Sequence, residues 1–467
     1  MIIARMLCNH PSVLSGSGYF RAPGFALTCV VILASVLFSN SAFAQAPCPD
    51  LTALHVAASA DNPDWETIHR QAAVLAPRCL RNADYFALLG AAELNTGRLA
   101  DALESLERAL LLAPDNGGAQ IDYAQALFLQ GQLFSALALN KQILGRDDLP
   151  STLQPALAAR QREWQSMTRQ TAYQADLLLG HDSNLNGAPS PDQITLTLSG
   201  ESVILPLNPE FRPMSGPYVN ARVSARFRQL APEHQHNATV ELRGRVSEDK
   251  ASDLLQLDTR YAFIKPGRER SWQANAGMSH LFFGGSPLYT ATELGGRYMP
   301  VRESSACQPF AVGAMQHQLF HNQSRQNAIE GKLGAGMTCS FSSSFGAQQL
   351  VPEISMLGNE PVRGGRAGGG RSGWQANLDW RLQLPGSATL SSQLNYTKMD
   401  DRKGYSPLLS DGAKRWIKRS YVLVQLRRPL GSNTTLLVNA YRQLQQSNLE
   451  LFRSSDKTLE IGFSHRF

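Results

Sequence analysis

From residue 171 to the end of the chain, apolar and polar residues alternate with a period of two. In one such segment Trp374, Ala376 and Leu378 are separated by Gln375 and Asn377. Because successive side chains of a β-strand point to opposite faces, each segment predicts a strand with one apolar and one hydrophilic face. A long series of such strands of about ten residues is typical of a transmembrane β-barrel, although a soluble β-sandwich shares the local pattern.

Fourteen strands can be placed in this region, and the even number returns the chain to the side on which the barrel began. They are expected near residues 171–180, 217–227, 237–247, 253–264, 271–282, 289–299, 307–317, 327–340, 346–356, 373–384, 388–398, 417–428, 433–443 and 457–467. Short connections at 385–387 and 429–433 predict periplasmic turns. Long connections, expected to face outside, are 181–216, 357–372, 399–416 and 444–456. The glycine-rich segment 358–373 is expected to be mobile.

The last segment alternates in the same way and ends on an aromatic residue. Leu459, Ile461, Phe463 and Phe467 would share one face of a final strand. A terminal strand that closes on phenylalanine is the usual end of a bacterial outer-membrane barrel. We expect the barrel-assembly machinery to recognise this strand, with Gly462, Phe463 and Phe467 as its determinants.

Residues 45–170 have a helical pattern with an internal repeat of 34 residues, in which small residues recur. The first set is Gly90, Gly97 and Ala102, and the second is Ala124, Gly131 and Ala136. Small residues let two antiparallel helices approach closely, and Pro114 ends the second helix. The pattern resembles the tetratricopeptide repeat. Two to three units are expected, with a degenerate first unit and a final helix around 155–169. Such units leave a concave groove for peptide or protein, or serve as a scaffold beside the pore.

Residues 1–44 are expected to be a signal peptide. Arg5 and Arg21 are the only charged residues before an apolar stretch of 14 residues, 25–38, which is too short to span a membrane as a helix. The sequence Ser41-Ala-Phe-Ala44 has a small-x-small cleavage pattern, so the exported chain is expected to begin at Gln45. The predicted organisation is a signal peptide at 1–44, a periplasmic helical domain at 45–170 and a barrel at 171–467.

Charge divides unevenly between the two predicted domains. Residues 45–170 contain 10 basic and 14 acidic residues, whereas residues 171–467 contain 32 and 24. Nucleic acid is not expected as a partner, because an exported chain without a basic helix or stacking platform rarely meets it. Inward arginines are expected to form a salt-bridge lattice or, where unpaired, to steer anionic cargo. The arginines are Arg222, Arg226, Arg243, Arg245, Arg260, Arg381 and Arg427, and the candidate carboxylates are Glu241, Asp258, Asp379 and Glu460.

Four cysteines follow the expected cleavage site, and an even number in an exported chain permits disulfides. A bond between Cys48 and Cys79 would fasten the degenerate first repeat. Cys307 and Cys339 would lie at the periplasmic base of one hairpin, where a second disulfide is expected if the strand order is correct.

No catalytic or metal-binding constellation is predicted. His181, Asp182 and Ser183 include the residue types of a catalytic triad, but neighbours in sequence point in different directions, and a triad is assembled from separate segments. His317 and His321 have a spacing that suits zinc only on a helix, and they fall on a predicted strand and its end. We therefore expect neither an enzyme nor a cofactor or metal.

The junction of the two domains carries a further motif, in the stretch Leu177-Leu-Leu-Gly-His-Asp-Ser-Asn-Leu-Asn-Gly-Ala-Pro189. It is similar to the pattern Gly-Tyr-Asp-Ser-Asn-x-Asn-x-Ala-Pro at the first barrel strand of the surface lipoprotein assembly modulator (Slam) family. The matching positions are Gly180, Asp182, Asn184, Asn186 and Pro189. His181 stands in place of the tyrosine. Short polar side chains at these positions also suit a structured turn.

The order of signal peptide, short tetratricopeptide block and fourteen-stranded barrel resembles the same family over essentially the whole exported chain. The resemblance implies an outer-membrane factor that delivers lipoproteins or similar exported clients to the cell surface, without a cofactor or nucleotide. The implied partners are the client, periplasmic chaperones and outer-membrane lipid. Two alternatives stay open: an exopolysaccharide export porin, and a passive porin with a periplasmic docking domain.

Overall fold

The computed structural model describes residues 47–301 and 305–467, and the expected signal peptide at 1–44 lies outside this range. The described chain begins with seven α-helices. They are α1 (Thr52–Ala58), α2 (Trp65–Leu75), α3 (Ala83–Asn95), α4 (Leu99–Leu112), α5 (Gly117–Leu129), α6 (Leu133–Leu144) and α7 (Gln154–Met167). None of the described helices is both long enough and apolar enough to cross a membrane.

The helices pair as the repeat predicts, because local sequence sets their ends. Asn82 and Asn116 cap α3 and α5, each accepting a hydrogen bond from the backbone N–H three residues on, at 2.9 and 3.0 Å. Gly97 and Gly131 turn the chain between paired helices with φ of +78° and +85°. A Cβ at Gly90 would lie 2.5 Å from Leu106 Cγ, so glycine there permits the close packing of α3 on α4.

The last helix continues directly into the barrel. Trp164 of α7 is buried and stacks on Phe128 of α5, with ring centroids 4.7 Å apart. The helix ends at Met167 and the first strand begins at Arg169, so a single residue, Thr168, separates the two domains. The base of the barrel is therefore joined to the end of the repeat stack without a linker.

Sixteen strands follow among the described residues. They are β1 (Arg169–Asp182), β2 (Gln193–Leu198), β3 (Glu201–Pro206), β4 (Gly216–Leu230), β5 (Gln235–Ser247), β6 (Leu254–Lys265), β7 (Arg270–Phe283), β8 (Ser286–Pro300), β9 (Cys307–Phe320), β10 (Ala328–Ser343), β11 (Gly346–Pro361), β12 (Arg371–Gln383), β13 (Thr389–Gly404), β14 (Lys414–Pro429), β15 (Thr434–Ser447) and β16 (Ser454–Arg466). Fourteen of them close into one antiparallel barrel in sequence order, with β1 between β16 and β4. The predicted fold class, with its count of fourteen barrel strands, is confirmed.

Alternation decides which side chains face inward. On β1, Leu177 and Leu179 are largely exposed on the outer surface, whereas Asp176 and Asp182 are buried on the inner side. The same alternation places apolar residues of the other strands, such as Leu333 and Met356, on the outside. Closure of the barrel gives every barrel strand a neighbour on both sides. The outer belt is apolar and matches lipid. Both features belong to the architecture of outer-membrane barrels.

The strands reach further beyond the apolar belt than expected. The predicted long loops at 399–416 and 444–456 shrink to 405–413 and 448–453, because the flanking strands continue. Apolar alternation stops where the strands leave the membrane, while backbone pairing does not. The glycine-rich segment 358–373, expected to be mobile, lies partly in β11 and β12. Its Arg366 is buried and donates to the Asn359 side chain at 2.6 Å and to the Gly369 carbonyl at 2.8 Å.

A hairpin replaces part of the long loop expected at 181–216. β2 and β3 pair with each other as a separate two-stranded sheet outside the barrel. Ser199 and Gly200, between them, both have positive φ, 53° and 86°, as a two-residue hairpin turn requires. The dipeptide Ser-Gly between two alternating apolar runs was the sequence signal for it.

Two disulfides join the predicted partners. Cys48 is bonded to Cys79 across the first helical pair, with an S–S distance of 2.11 Å. Cys307 is bonded to Cys339, its register partner across β9 and β10, with an S–S distance of 2.03 Å. The second bond lies at the same end of the barrel as the start of β1.

Candidate functional site

The seam between β1 and β16 closes the barrel and is shorter than the pairing on the other side of β1. Residues 174–182 pair with 458–466 in nine positions, whereas β1 and β4 pair in fourteen. The lower part of β1, residues 169–173, extends beyond the last paired residue of β16. Phe467 adds one bond there, from its N–H to the Tyr173 carbonyl at 3.0 Å.

A clasp of three residues holds the inner face of this seam. Gly180 lies between Tyr218 of β4 and Glu460 of β16 in the strand register. A Cβ at Gly180 would lie 2.5 Å from Tyr218 Cζ, so the ring covers the space that a side chain would fill. The Tyr218 hydroxyl then donates to Glu460 Oε1 at 2.8 Å. The aromatic ring thus crosses β1 and connects its two neighbours.

The residues predicted as the assembly signal lie on this seam. Gly462 faces Leu178 in the register, and a Cβ there would overlap the carbonyl oxygen of Leu177. Phe463 and Phe467 are exposed on the outer surface, as the alternation predicted for the final strand. The recognition of Phe463 and Phe467 by the barrel-assembly machinery stays a prediction.

The junction motif forms an ordered loop at the top of the seam. Asp182 accepts a hydrogen bond from the Asn184 N–H at 2.7 Å, and Asn184 is held by the Ala188 N–H at 2.9 Å. Its amide also donates to the carbonyl of Ser455 next to the seam, at 3.3 Å. Asn184 therefore folds the loop on itself and ties it to β16.

The other motif residues tie the loop to the chain that leads into β4. Asn186 donates to the Arg212 carbonyl at 2.9 Å and accepts from the Met214 N–H at 3.1 Å. Pro189, the last residue of the motif, is half-buried beside Ala188. These contacts are internal, so the geometry fits the structured-turn interpretation of the motif.

Arg245 supports the loop from the inside of the barrel. It forms an ion pair with Asp182 at 3.0 Å and donates to the carbonyls of Leu185 and Ser252 at 2.8 and 2.9 Å. Asp182 and Arg245 are both largely shielded from solvent. The motif is therefore joined to the charged inner wall of the barrel.

Part of the inner wall carries the expected ion-pair lattice. Arg222 pairs with Asp176, and Arg243 pairs with Glu241 at 3.0 Å. On the opposite wall Lys332 pairs with Glu353 at 2.6 Å. The expected carboxylate partners are only partly correct. Glu460 accepts from amides and a phenol, and Asp258 accepts from Gln256 at 2.8 Å.

Three further inward arginines lie near Arg222. Arg427 is close enough to Arg222, Arg226 and Arg466, and to Asp176, to interact with each of them electrostatically. Among the described residues, Arg226, Arg427 and Arg466 form no ion pair. We call these four arginines the arginine cluster. It lies near the end of the barrel to which the helices attach, so it creates a positive field at that mouth.

A cavity of about 540 Å³ lies inside the barrel behind the seam. Tyr421 and Tyr441 line it with their ring centroids 5.0 Å apart, together with amides such as Gln425 and Asn439. The lining of this cavity is therefore rich in hydrogen-bonding groups.

Among the described histidines, His181, His280 and His321 lie beside hydroxyl groups. His181 is exposed, and its Nε2 lies 3.5 Å from Ser215 Oγ, whereas the Ser183 hydroxyl accepts from the Lys457 N–H at 2.8 Å. His321 shares the Thr290 hydroxyl with His280, at 2.8 and 2.6 Å. In the part of the chain that the structure describes, no group of three or more His, Cys, Asp or Glu side chains is placed to hold a metal ion.

Several residues of the site were not found from the sequence. Tyr218 and Asp176 gain their roles from the pairing of β1 with β4, which alternation does not fix. Arg415 forms a buried, two-bonded ion pair with Asp401 at 3.1 and 3.2 Å, in loops that were expected to be irregular. The sequence indicated only that these positions face inward. That does not fix which residues they pair with on the neighbouring strand.

The comparison with protein families supports the helical-repeat part of the architecture. A family model of the tetratricopeptide repeat matches residues 94–160, from the end of α3 into α7. No curated protein matches the chain.

Among solved structures, the chain is similar to an anion-selective porin from Comamonas acidovorans, with 11% identity, 64% of this chain and 99% of that chain covered, and a TM-score of 0.34. It is also similar to a bacterial polysaccharide outer membrane secretin, with 10% identity, 63% and 98% covered, and a TM-score of 0.29. An outer membrane channel from Pseudomonas putida F1 has 12% identity, 63% and 95% covered, and a TM-score of 0.30. Similarity at this level carries no conclusion about cargo.

Proposed function

We propose that the protein is an outer-membrane factor that delivers exported client proteins, surface lipoproteins in particular, to the cell surface. In this proposal the helical domain lies in the periplasm and receives the client in its concave groove. The barrel then provides a route or a folding surface. Client folding outside, or transfer from periplasmic chaperones, supplies the driving force.

One observation carries the proposal: the last helix of the stack, the first barrel strand and the junction motif form one uninterrupted stretch, 154–189. α7 passes into β1 through Thr168 alone, and β1 ends in the motif that fastens β16 and the chain before β4. A docking domain that only recruits proteins to the membrane needs no fixed geometry. A domain that hands a client to the barrel does, because the groove must stay aligned with the mouth.

Protease shaving of intact cells tests the proposal. The protein is co-expressed with an exported lipoprotein encoded beside it, and the protease-accessible fraction of that lipoprotein is measured. We expect the accessible fraction to rise only when the protein is present. A variant that lacks residues 47–167 but keeps the signal peptide and barrel serves as the control for barrel insertion alone. No change in exposure for any exported neighbour would contradict the proposal.

Export of a polysaccharide is a second candidate, favoured by the tyrosine pair in the lumen. Tyr421 and Tyr441 lie beside Gln425 and Asn439, an arrangement of aromatic rings and amides that suits sugar rings. If the cargo is a polysaccharide, Tyr421→Ala with Tyr441→Ala lowers capsule or matrix release and leaves lipoprotein exposure unchanged. If the double variant lowers lipoprotein exposure and leaves polysaccharide release unchanged, the result supports delivery of a client protein.

A further inference from the structure

The hairpin formed by β2 and β3 carries an open strand edge on the outer side of the barrel. β2 is held on one side by β3 and on the other by loops: the Thr197 N–H donates to the Leu408 carbonyl at 2.9 Å, and the Thr195 N–H donates to Glu450 Oε2 at 2.8 Å. β3 pairs only with β2, and all six of its residues are exposed. The hairpin is thus fixed on one side and open on the other.

The alternation of hydrogen bonds identifies the groups on the open edge. Thr195 and Thr197 direct their N–H groups away from β3, so the residues between them bond to β3. By the register Leu196↔Val203, the backbone of Val203 and Leu205 faces β2. Ser202 and Ile204 therefore direct their N–H and C=O groups outward, and neither has a partner within the described residues.

The side chains of the hairpin add an apolar face to this edge. Ile194, Leu196 and Leu198 of β2 share a face with Val203 and Leu205 of β3. Val203 is 41% exposed and Leu205 is 46% exposed, although Ile194 beside Leu205 is buried. Natural proteins blunt such edges with charges, proline or a covering segment, and here only the end residues Glu201 and Pro206 do so.

The chain segment that contains the hairpin and the two loops that contact β2 have more acidic than basic residues. In segments 183–215, 405–413 and 448–453, the acidic residues are Asp192, Glu201, Glu210, Asp411 and Glu450, and the basic residues are Arg212 and Arg453. Both arginines are engaged by backbone carbonyls, Arg212 with Leu207 at 2.9 Å and Arg453 with Ser447 at 2.8 Å. An extended segment with basic flanks therefore complements this surface.

We propose that the open edge of β3 binds an extended, alternately apolar segment of the exported client, flanked by basic residues, by strand addition. Main-chain bonds to Ser202 and Ile204 supply affinity, and alternate apolar side chains extend the face of Val203 and Leu205. The inference rests on the proposed function, because it places the edge where an emerging client first meets the outside. It adds a second client-binding site, at the cell surface, to the groove proposed in the periplasm.

The variant Ile204→Pro removes one outward N–H and blocks the edge. Because the Ile204 backbone does not bond to β2, proline there leaves the hairpin pairing intact. The residue before a proline prefers an extended conformation, and Val203 already has one as part of β3. The matched control is Ile204→Thr, which keeps the N–H and a β-branched side chain.

The probe is a fluorescent peptide, Lys-Lys-Val-Thr-Val-Thr-Val-Lys-Lys, titrated against the full-length protein in nanodiscs. We expect binding by the wild type and by Ile204→Thr, about tenfold weaker binding by Ile204→Pro, and slower amide exchange at residues 201–206 on binding. A peptide with glutamates in place of lysines is expected to bind more weakly. Equal binding by wild type and Ile204→Pro would overturn the inference. A dimer in light scattering that Ile204→Pro abolishes would assign the edge to a second copy and also overturn it.

Protease shaving separates this inference from the function on which it rests. If wild type raises client exposure and Ile204→Pro lowers it while the barrel still migrates as a folded band, both stand. If both proteins raise exposure equally, the strand-addition site fails and the proposed function stands. If wild type raises the exposure of no client, the proposed function fails, and peptide binding alone does not support a client site.

Discussion

At Gly180 the absence of a side chain decides how three strands are joined. The ring of Tyr218 occupies the space above the glycine and reaches Glu460 on the far side of β1. Glu460 also accepts from Asn220 and Asn439, each at 2.9 Å. Glu460 therefore accepts hydrogen bonds from residues of β4 and β15 at the closing strand β16. The Tyr218 ring can reach it because Gly180 has no side chain.

Substitution Gly180→Ala is expected to weaken barrel closure. The new Cβ would lie 2.5 Å from Tyr218 Cζ, and the stiff ring has to leave Glu460 to make room. We expect a loss of roughly 1–3 kcal/mol, the usual cost of an overpacked site. It is measured as a lower urea midpoint of the folded barrel band on semi-native gels.

Gly431→Ala is the matched control, because a Cβ there meets no atom within 4 Å. Its midpoint is expected to equal that of the wild type. If Gly180→Ala also unfolds at the wild-type midpoint, the clasp does not stabilise the seam.

At the scale of elements, a polar network fixes α7 against the repeat stack. Asn140 of α6 is fully buried and donates to the Leu157 carbonyl at 3.1 Å. Arg160 donates to Asn140 Oδ1 at 2.6 Å, and its guanidinium lies 4.8 Å from the Trp164 ring centroid. Asp122 of α5 interacts electrostatically with Arg160 of this network. Burial raises the pKa of Asp122 from 3.8 to about 6, although the attraction of Arg160 opposes this.

The raised pKa predicts that the helical domain loses stability as pH rises from about 4 to about 6. In that interval folded Asp122 keeps a proton that the unfolded chain has lost, so each further unit of pH favours unfolding. By pH 7 the loss is roughly 3 kcal/mol. Asp122→Asn removes it, so this variant is expected to be more stable than wild type at pH 7.5 and similar at pH 4.

The helical melt of the full-length protein, followed at 222 nm at pH 4 and 7.5, measures this difference. Burial raises the pKa of Glu93 as well, so part of the pH dependence is expected to remain in Asp122→Asn. Identical pH dependence in wild type and variant would show that Asp122 titrates as an exposed carboxylate.

At the scale of the whole molecule, one residue joins the helical domain to the barrel. The helices end at Met167 and β1 begins at Arg169. The mouth nearby carries the arginine cluster, and residues 45–170 have four more acidic than basic residues. The helical domain and this mouth therefore carry charge of opposite sign, and the chain joins them through Thr168 alone.

A flexible insertion at this junction is expected to uncouple delivery from barrel assembly. About twelve Gly and Ser residues placed after Thr168 let the helical domain move over tens of ångströms. We expect client exposure to fall while the barrel still runs as a folded band. The same insertion in the turn 430–433 is the control, and it is expected to leave exposure unchanged. Full export with the junction insertion would show that fixed geometry is unnecessary.

Much of this architecture could be predicted from sequence because each element has its own period. Alternation placed all fourteen barrel strands, and the spacing of Gly90 and Ala124 placed the repeat. The hairpin of β2 and β3 was missed because it lies within a segment treated as one long loop. The outer ends of β13 to β16 were not predicted, because polar residues on both faces remove the alternation that identifies a strand.

The sequence by itself determined the period of each segment, the inward or outward side of each residue, and the alternating topology that follows from short and long connections. Only the tertiary structure decided which residues meet across strands. The pairing of Gly180 with Tyr218 and Glu460, the unpaired state of Arg427 and the open edge of β3 depend on register and on loop packing. Alternation has a period of two and is blind to a shift by any even number of residues, so these contacts arise only when the barrel closes.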